Sequence, residues 1–169
     1  MTATLTRLEA SASTYRSNPA AGVSTPTVTA TLANGLARLS SGSFNWEADL
    51  GPAVGGDNLA PSPTAYLLGA LAGCGVVFLR DTLAPLFGIT LDDVSATARC
   101  RSDAAGLLGL EGTDPSLRDV ELTIRVSSPD PADRIETMLA AWKERCPIYL
   151  ALLRPNDVDL RFEVASSKP

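Results

Sequence analysis

Cys74 and Cys146 are the residues of this 169-residue chain best suited to chemistry. Each interrupts a segment that otherwise reads as apolar helix, 65–79 around the first and 142–150 around the second. A cysteine thiolate is a strong nucleophile at neutral pH. Two thiols on separate core helices form a redox pair if the fold brings their Cα atoms within about 7 Å. The chain has no histidine, which excludes a cysteine–histidine dyad and leaves the activating charge to other side chains.

Each thiol also has a purely structural reading. At helical spacing Cys74 neighbours Ala70, Leu71, Val77 and Phe78, and a free cysteine in such surroundings behaves as a small hydrophobe. Against this, Gly73 and Gly75 flank it. A glycine within a helix costs about 1 kcal/mol relative to alanine, so the pair points to close approach of another backbone or a ligand. Cys146 precedes Pro147, which disfavours helical backbone at the residue before it. A restart there puts Cys146 at the positive end of a short helix over 147–153. That position and the adjacent Arg145 both lower a thiol pKa; the structural alternative is a kinked core helix. Cys100 lies between Arg99 and Arg101 on the apolar face of a strand and reads as core.

Other chemistries find less support. There is no Cys-x-x-Cys spacing, so a metal site would need distant ligands and none is assigned. Val54-Gly55-Gly56-Asp57 matches no phosphate-binding motif and reads as a flexible turn, and no cofactor is implied. A net charge of −5 without a basic stretch excludes a nucleic-acid partner. Three cysteines are too few for a disulfide scaffold, which points to a reducing cytoplasm. The apolar run 65–79 is too short to span a bilayer, so no membrane partner is expected.

The elements that must position the thiols follow from periodicity. Residues 1–25 read as an N-terminal extension, with room for a short helix over 5–15, and 26–169 as the domain proper. Val28, Ala30 and Leu32 share one face of a first strand; Asn34-Gly35 is a tight turn; 36–39 and 44–50 complete an antiparallel meander. After a Gly- and Pro-rich loop, Ser62-Pro63 starts a helix that runs to Phe87 and ends at Gly88. Strands follow over 94–100 and 120–126, then a helix over 131–145, and a last strand carrying Val158, Leu160, Phe162 and Val164. The order predicts an α+β domain with helices on one side of an antiparallel sheet.

Pro61-Ser62-Pro63 followed by Leu67-Leu68-Gly69-Ala70-Leu71-Ala72-Gly73-Cys74 resembles the first cysteine motif of the OsmC/Ohr superfamily. These are the osmotically inducible protein C and organic hydroperoxide resistance proteins. Arg145-Cys146-Pro147-Ile148 resembles their second, Cys-Pro motif, and the Gly55-Gly56 loop and element order also fit. The resemblance spans about residues 26 to 165.

It implies an α+β fold built as an intertwined homodimer with active sites at the subunit interface, and a peroxidase acting on organic hydroperoxides. By position, Cys74 would be the attacking thiolate and Cys146 the resolving thiol, with a dithiol reductant restoring the pair. The family's activating cation is an arginine from the N-terminal strands, matched here by Arg38, held by a glutamate near the start of the first helix. The chain departs from the pattern there: Thr64 and Ala65 occupy the matching positions, leaving Asp57 or Glu47 as substitutes. The rival reading is a non-enzymatic dimer of the same fold that binds a hydrophobic small ligand between its helices.

Overall fold

A computed structural model describes residues 3–154 and 157–164. The chain opens with helix α1 (Ala3–Ser17), which extends the helix expected over 5–15 and has no buried residue. A three-stranded antiparallel meander follows: β1 (Thr29–Ala33), β2 (Leu36–Ser41) and β3 (Phe44–Ala48), in spatial order β1-β2-β3. Asn34 and Gly35 both take positive φ, 53° and 80°, the backbone that a two-residue hairpin matched to strand twist demands. This register sets Arg38 opposite Glu47 on the neighbouring strand.

Helix α2 (Pro63–Phe78) starts as the sequence dictates, with the Ser62 hydroxyl accepting the Ala65 amide and Pro63 in the first turn. It continues through a π-helical turn, Leu79–Leu83, into α3 (Ala84–Phe87). Pro85 lacks the N–H that would bond back four residues, which accounts for the wider turn before it. Gly88 closes the run in the left-handed conformation at φ 62°. At 25 residues and a mean hydropathy of 1.6, Pro63–Phe87 has by length and composition what a bilayer crossing needs. The expectation from 65–79 underestimated it because the helix carries on past Leu79. In this fold its apolar side packs against a second sheet.

That second sheet is the antiparallel pair β4 (Asp93–Arg101) and β5 (Arg118–Ser127). The alternation Val94, Ala96, Ala98 pairs across with Val126, Ile124, Leu122 and turns one face to α2. The connection between these strands, expected as loop, contains a one-turn helix α4 (Ala104–Leu107) capped by the Asp103 carboxylate on the Ala105 amide. Helix α5 (Ala132–Arg145) then packs Met138, Ala141 and Trp142 inward, and α6 (Pro147–Leu153) follows after a single non-helical residue. The core consists chiefly of Leu79, Leu83, Met138, Trp142 and Cys146, flanked by Ala84 and Ile89.

One expectation fails in the C-terminal part. Residues 157–164 form no strand, and Val158, Leu160, Phe162 and Val164 are all exposed. Their alternation is real, but no strand among the described residues pairs with them. In β1, which forms as expected, the apolar face is open as well, with Leu32 84% exposed.

Candidate functional site

Pro147 determines where the site begins. It forces Cys146 out of helical geometry, to φ −69° and ψ 113°, and makes that residue the N-cap of α6. The cap is a sulfur: Cys146 Sγ accepts the Tyr149 amide at 3.4 Å. The same sulfur lies 3.0 Å from Cys74 Sγ, a thiol–thiol hydrogen bond. The two thiols, 72 residues apart in sequence, are therefore in direct contact, and both are free. Cys146 is completely buried, whereas Cys74 keeps part of its surface.

Two further contacts set this geometry. The Trp142 indole N–H donates to the Cys74 carbonyl at 3.3 Å, tying α5 to α2 one turn before Cys146. The Trp142 and Tyr149 rings sit 5.5 Å apart, bracing α5 against α6. On the sheet side Gly75 is where the approach is tight: a Cβ there would lie 3.2 Å from Ala96 Cβ and 3.3 Å from Ile124 Cδ1. The close approach expected of the two glycines is thus met at Gly75. Gly73 differs, since its missing Cβ would meet nothing within 4 Å.

The electrostatics hold Cys74 in its neutral form. Burial pushes its thiol up from an ordinary 9.0 to about 12, with Cys146 adding to the rise and the Ile148 amide acting against it. Removing water disfavours the thiolate, and a second sulfur at contact distance disfavours it further if that neighbour carries charge. Among the described residues no arginine or lysine offsets that rise.

Arg38 is elsewhere. Its Nη2 pairs with Glu47 Oε1 at 3.2 Å across β2 and β3, on an exposed sheet surface. Of the two carboxylates considered for it, Glu47 makes the contact. Asp57 contributes its backbone amide to Asp49 instead. Cys100 sits at a shift of register between β4 and β5 and makes no hydrogen bond to either of the other sulfurs among the described residues. The described residues contain no group of three His, Cys, Asp or Glu side chains arranged to hold a metal.

Three contributors escaped sequence reasoning. Trp142 was legible only as an apolar-face residue, although a tryptophan one turn before a Cys-Pro step is well placed to use its indole N–H. Asp49 organises the loop that delivers α2: its carboxylate accepts the amides of Leu50, Asp57 and Leu59. These bonds hold its pKa below the usual 3.8. Tyr66, two turns before Cys74, donates its hydroxyl to the Glu47 carbonyl and so fastens β3 to α2.

The sequence model of the OsmC-like protein family matches residues 55–161, well over half of the chain. Among solved structures, an OsmC-like protein from Mycoplasma pneumoniae superposes with a TM-score of 0.62 at 21% identity, covering 77% of this chain and 88% of that one. An organic hydroperoxide resistance protein from Elizabethkingia anophelis gives 0.58 at 18% identity, with 76% and 88% covered. The organic hydroperoxide resistance protein OsmC from Legionella pneumophila gives 0.54 at 19%, with 77% and 90% covered. A comparison with curated proteins finds no match. The α+β architecture with antiparallel sheets is common to all three of these structures and this chain, and the chain belongs to the OsmC-like protein family.

Proposed function

We propose that the protein is a thiol-dependent peroxidase that reduces organic hydroperoxides through Cys74 and Cys146, working in the cytoplasm as an intertwined homodimer. The observation that carries this reading is the 3.0 Å contact between the two sulfurs, one partly open and the other sealed. Attack by the Cys74 thiolate on the outer peroxide oxygen breaks the O–O bond. The released alkoxide takes a proton and leaves as the alcohol, and Cys74 becomes a sulfenic acid. Cys146 then displaces the hydroxyl, which departs as water with the Cys146 proton, and a disulfide remains. A dithiol reductant returns both sulfurs to thiols by exchange.

Several features favour a second copy. Gly69 and Gly73, one turn apart on α2, face open space, and Leu67 and Val77 are exposed on the same apolar helix. A helix apolar all round belongs in an interior. The meander and residues 157–164 also leave apolar side chains uncovered. In this reading residues 26–169 form the functional domain and 1–25 an extension. The partner brings Arg38, steadied by Glu47, to the Cys74 thiol and lowers the pKa that a single chain leaves high. Glu47 then takes the part of the carboxylate missing at Thr64 and Ala65.

The assay is peroxide consumption with cumene hydroperoxide and a dithiol reductant, comparing wild type with Cys74→Ser. Loss of at least about a hundredfold in rate is expected, because the hydroxyl cannot replace a thiolate nucleophile. Equal rates would reject the reading. They would favour the rival, a non-enzymatic dimer holding a hydrophobic ligand, for which the specific support is an apolar cavity of about 430 Å³ beside the thiols.

A further inference from the structure

The two sulfurs do more than touch each other; between them they close the start of α6. A helix begins with amides that have no partner inside it. In α6, Pro147 has no N–H to place, and the Leu150 amide already reaches the Cys146 carbonyl at 3.0 Å. That leaves the amides of Ile148 and Tyr149. The Ile148 amide bonds the Cys74 thiol, and the Tyr149 amide bonds Cys146 Sγ at 3.4 Å. Each first-turn amide of α6 that needs an acceptor thus takes it from the cysteine pair.

Little else fixes this helix. It has seven residues, none of them fully buried, and Leu152 and Leu153 are exposed. A helix this short is marginal in water without caps and packing. Its packing comes chiefly from Ile148 and Tyr149 against the core, with the Tyr149 ring beside that of Trp142. Both anchors lie in the turn that the sulfurs cap. Joining the sulfurs changes what they can cap. They must close well inside their 3.0 Å contact, and a disulfide fixes the direction of each sulfur about the new bond. Cys146 Sγ is then no longer free to face the Tyr149 amide, nor Cys74 Sγ the Ile148 amide. A cysteine sulfur is a weak acceptor from the outset.

We propose that α6 is a redox-sensitive gate, capped shut over the pair while both thiols are free and loosened when they join. Its place in the catalytic cycle rests on the peroxidase reading. Cys146 is sealed in the reduced chain, whereas the disulfide must admit a dithiol reductant whose thiolate attacks one of its sulfurs. Helix α6 also supplies Tyr149, Leu152 and Leu153 to the cavity beside the pair. Loosening it opens that side of the site after a peroxide has been reduced and not before.

The test is amide hydrogen exchange on the full-length protein, reduced and after treatment with diamide. Diamide takes up the two thiol hydrogens as the sulfur–sulfur bond forms, and it supplies no peroxide; peptide mass confirms the bond. Closing Cys74 to Cys146 should quicken exchange at Ile148 and Tyr149 about fivefold, the scale of a lost N-cap. The Met138 amide in α5 should keep its rate. Cys146→Ser retains a capping oxygen and cannot form the bond, so its α6 should exchange slowly with and without diamide. Cys146→Ala has neither and should exchange quickly in both. Unchanged or slower exchange at Tyr149 in oxidised wild type overturns the proposal, as does failure of diamide to join the two sulfurs; that comparison needs no variant to fold. Fast exchange in Cys146→Ser, or slow exchange in Cys146→Ala, overturns it too. No peroxide is used, so the gate can stand even if Cys74→Ser retains full peroxide consumption. Conversely, thiol-dependent turnover of cumene hydroperoxide with α6 equally protected in both states removes the gate and leaves the peroxidase reading intact.

Discussion

The half of the molecule that holds the thiols and the half that holds Arg38 are built to different standards of completeness. Around Cys74 and Cys146, the helices α2, α5 and α6 and the β4–β5 sheet close a core in which Leu79, Leu83, Met138 and Cys146 are fully buried. In the β1–β3 meander, Ala48 alone among the described residues is buried, while Leu32 and Phe44 stand 84% and 74% exposed. The same chain thus finishes one layer by itself and leaves another unfinished. A sheet with a bare apolar face is marginal in water. In the function proposed above, the framework of the thiol site is intramolecular and the open layer is where a second chain would bring its activating charge.

The widest separation between the halves is expected in stability. Met138→Ala empties a fully buried position and should cost about 2–5 kcal/mol at every protein concentration. Leu32→Ser removes a side chain that touches little within its own chain, so the intrinsic effect should stay within about 0.5 kcal/mol. Its cost should appear instead as a midpoint that depends more steeply on protein concentration, because dimer formation stabilises by mass action. Denaturation at two concentrations, with sedimentation to report the oligomer, separates the two. A Leu32→Ser protein that loses stability equally at both concentrations would break the comparison.

A finer version lies within α2. Gly75→Val drives methyl groups into Ala96 and Ile124, whose atoms lie 3.2–3.3 Å from where a Cβ would stand, and should destabilise by about 1–3 kcal/mol. Gly73→Ala meets open space in the single chain and should add up to about 1 kcal/mol of helix stability. If α2 packs against its counterpart, the same change weakens association. Thermal unfolding read beside sedimentation shows whether those signs oppose.

The smallest effect is expected in the alkaline range. The folded chain raises the Cys74 thiol from 9.0 to about 12, so the fold prefers its protonated form. That preference stabilises fully below pH 9 and is lost as pH climbs through about 12. In monomeric protein, Cys74→Ser should flatten this alkaline limb of the stability curve, while Cys100→Ser should leave it in place. A dimer that supplies a cation should flatten it as well.

Much of the thiol half was legible because its signals are local. Ser62-Pro63 starts α2 and Gly88 ends the run, and Pro147 ejects Cys146 into a cap; each acts within a turn or two of chain. The 3.0 Å contact was not legible, since spacing along the chain says nothing about how α2 and α5 cross. Val158, Leu160, Phe162 and Val164 show the opposite failure. Their alternation reads as a strand, but a strand is a pairing, and within the described residues there is no partner for them. The missing carboxylate at Thr64 and Ala65 was visible at once, whereas Glu47 as Arg38's neighbour needed the β2–β3 register.

The central claim is that Cys74 and Cys146 form the redox pair, and peptide mass mapping tests it most directly. Reduced protein is treated with one equivalent of cumene hydroperoxide, alkylated and digested without reductant. The predicted product is a disulfide joining the Cys74 and Cys146 peptides, with Cys100 alkylated as in the untreated sample. Free, alkylated Cys74 and Cys146 after the peroxide is consumed, or a disulfide that includes Cys100, would contradict it.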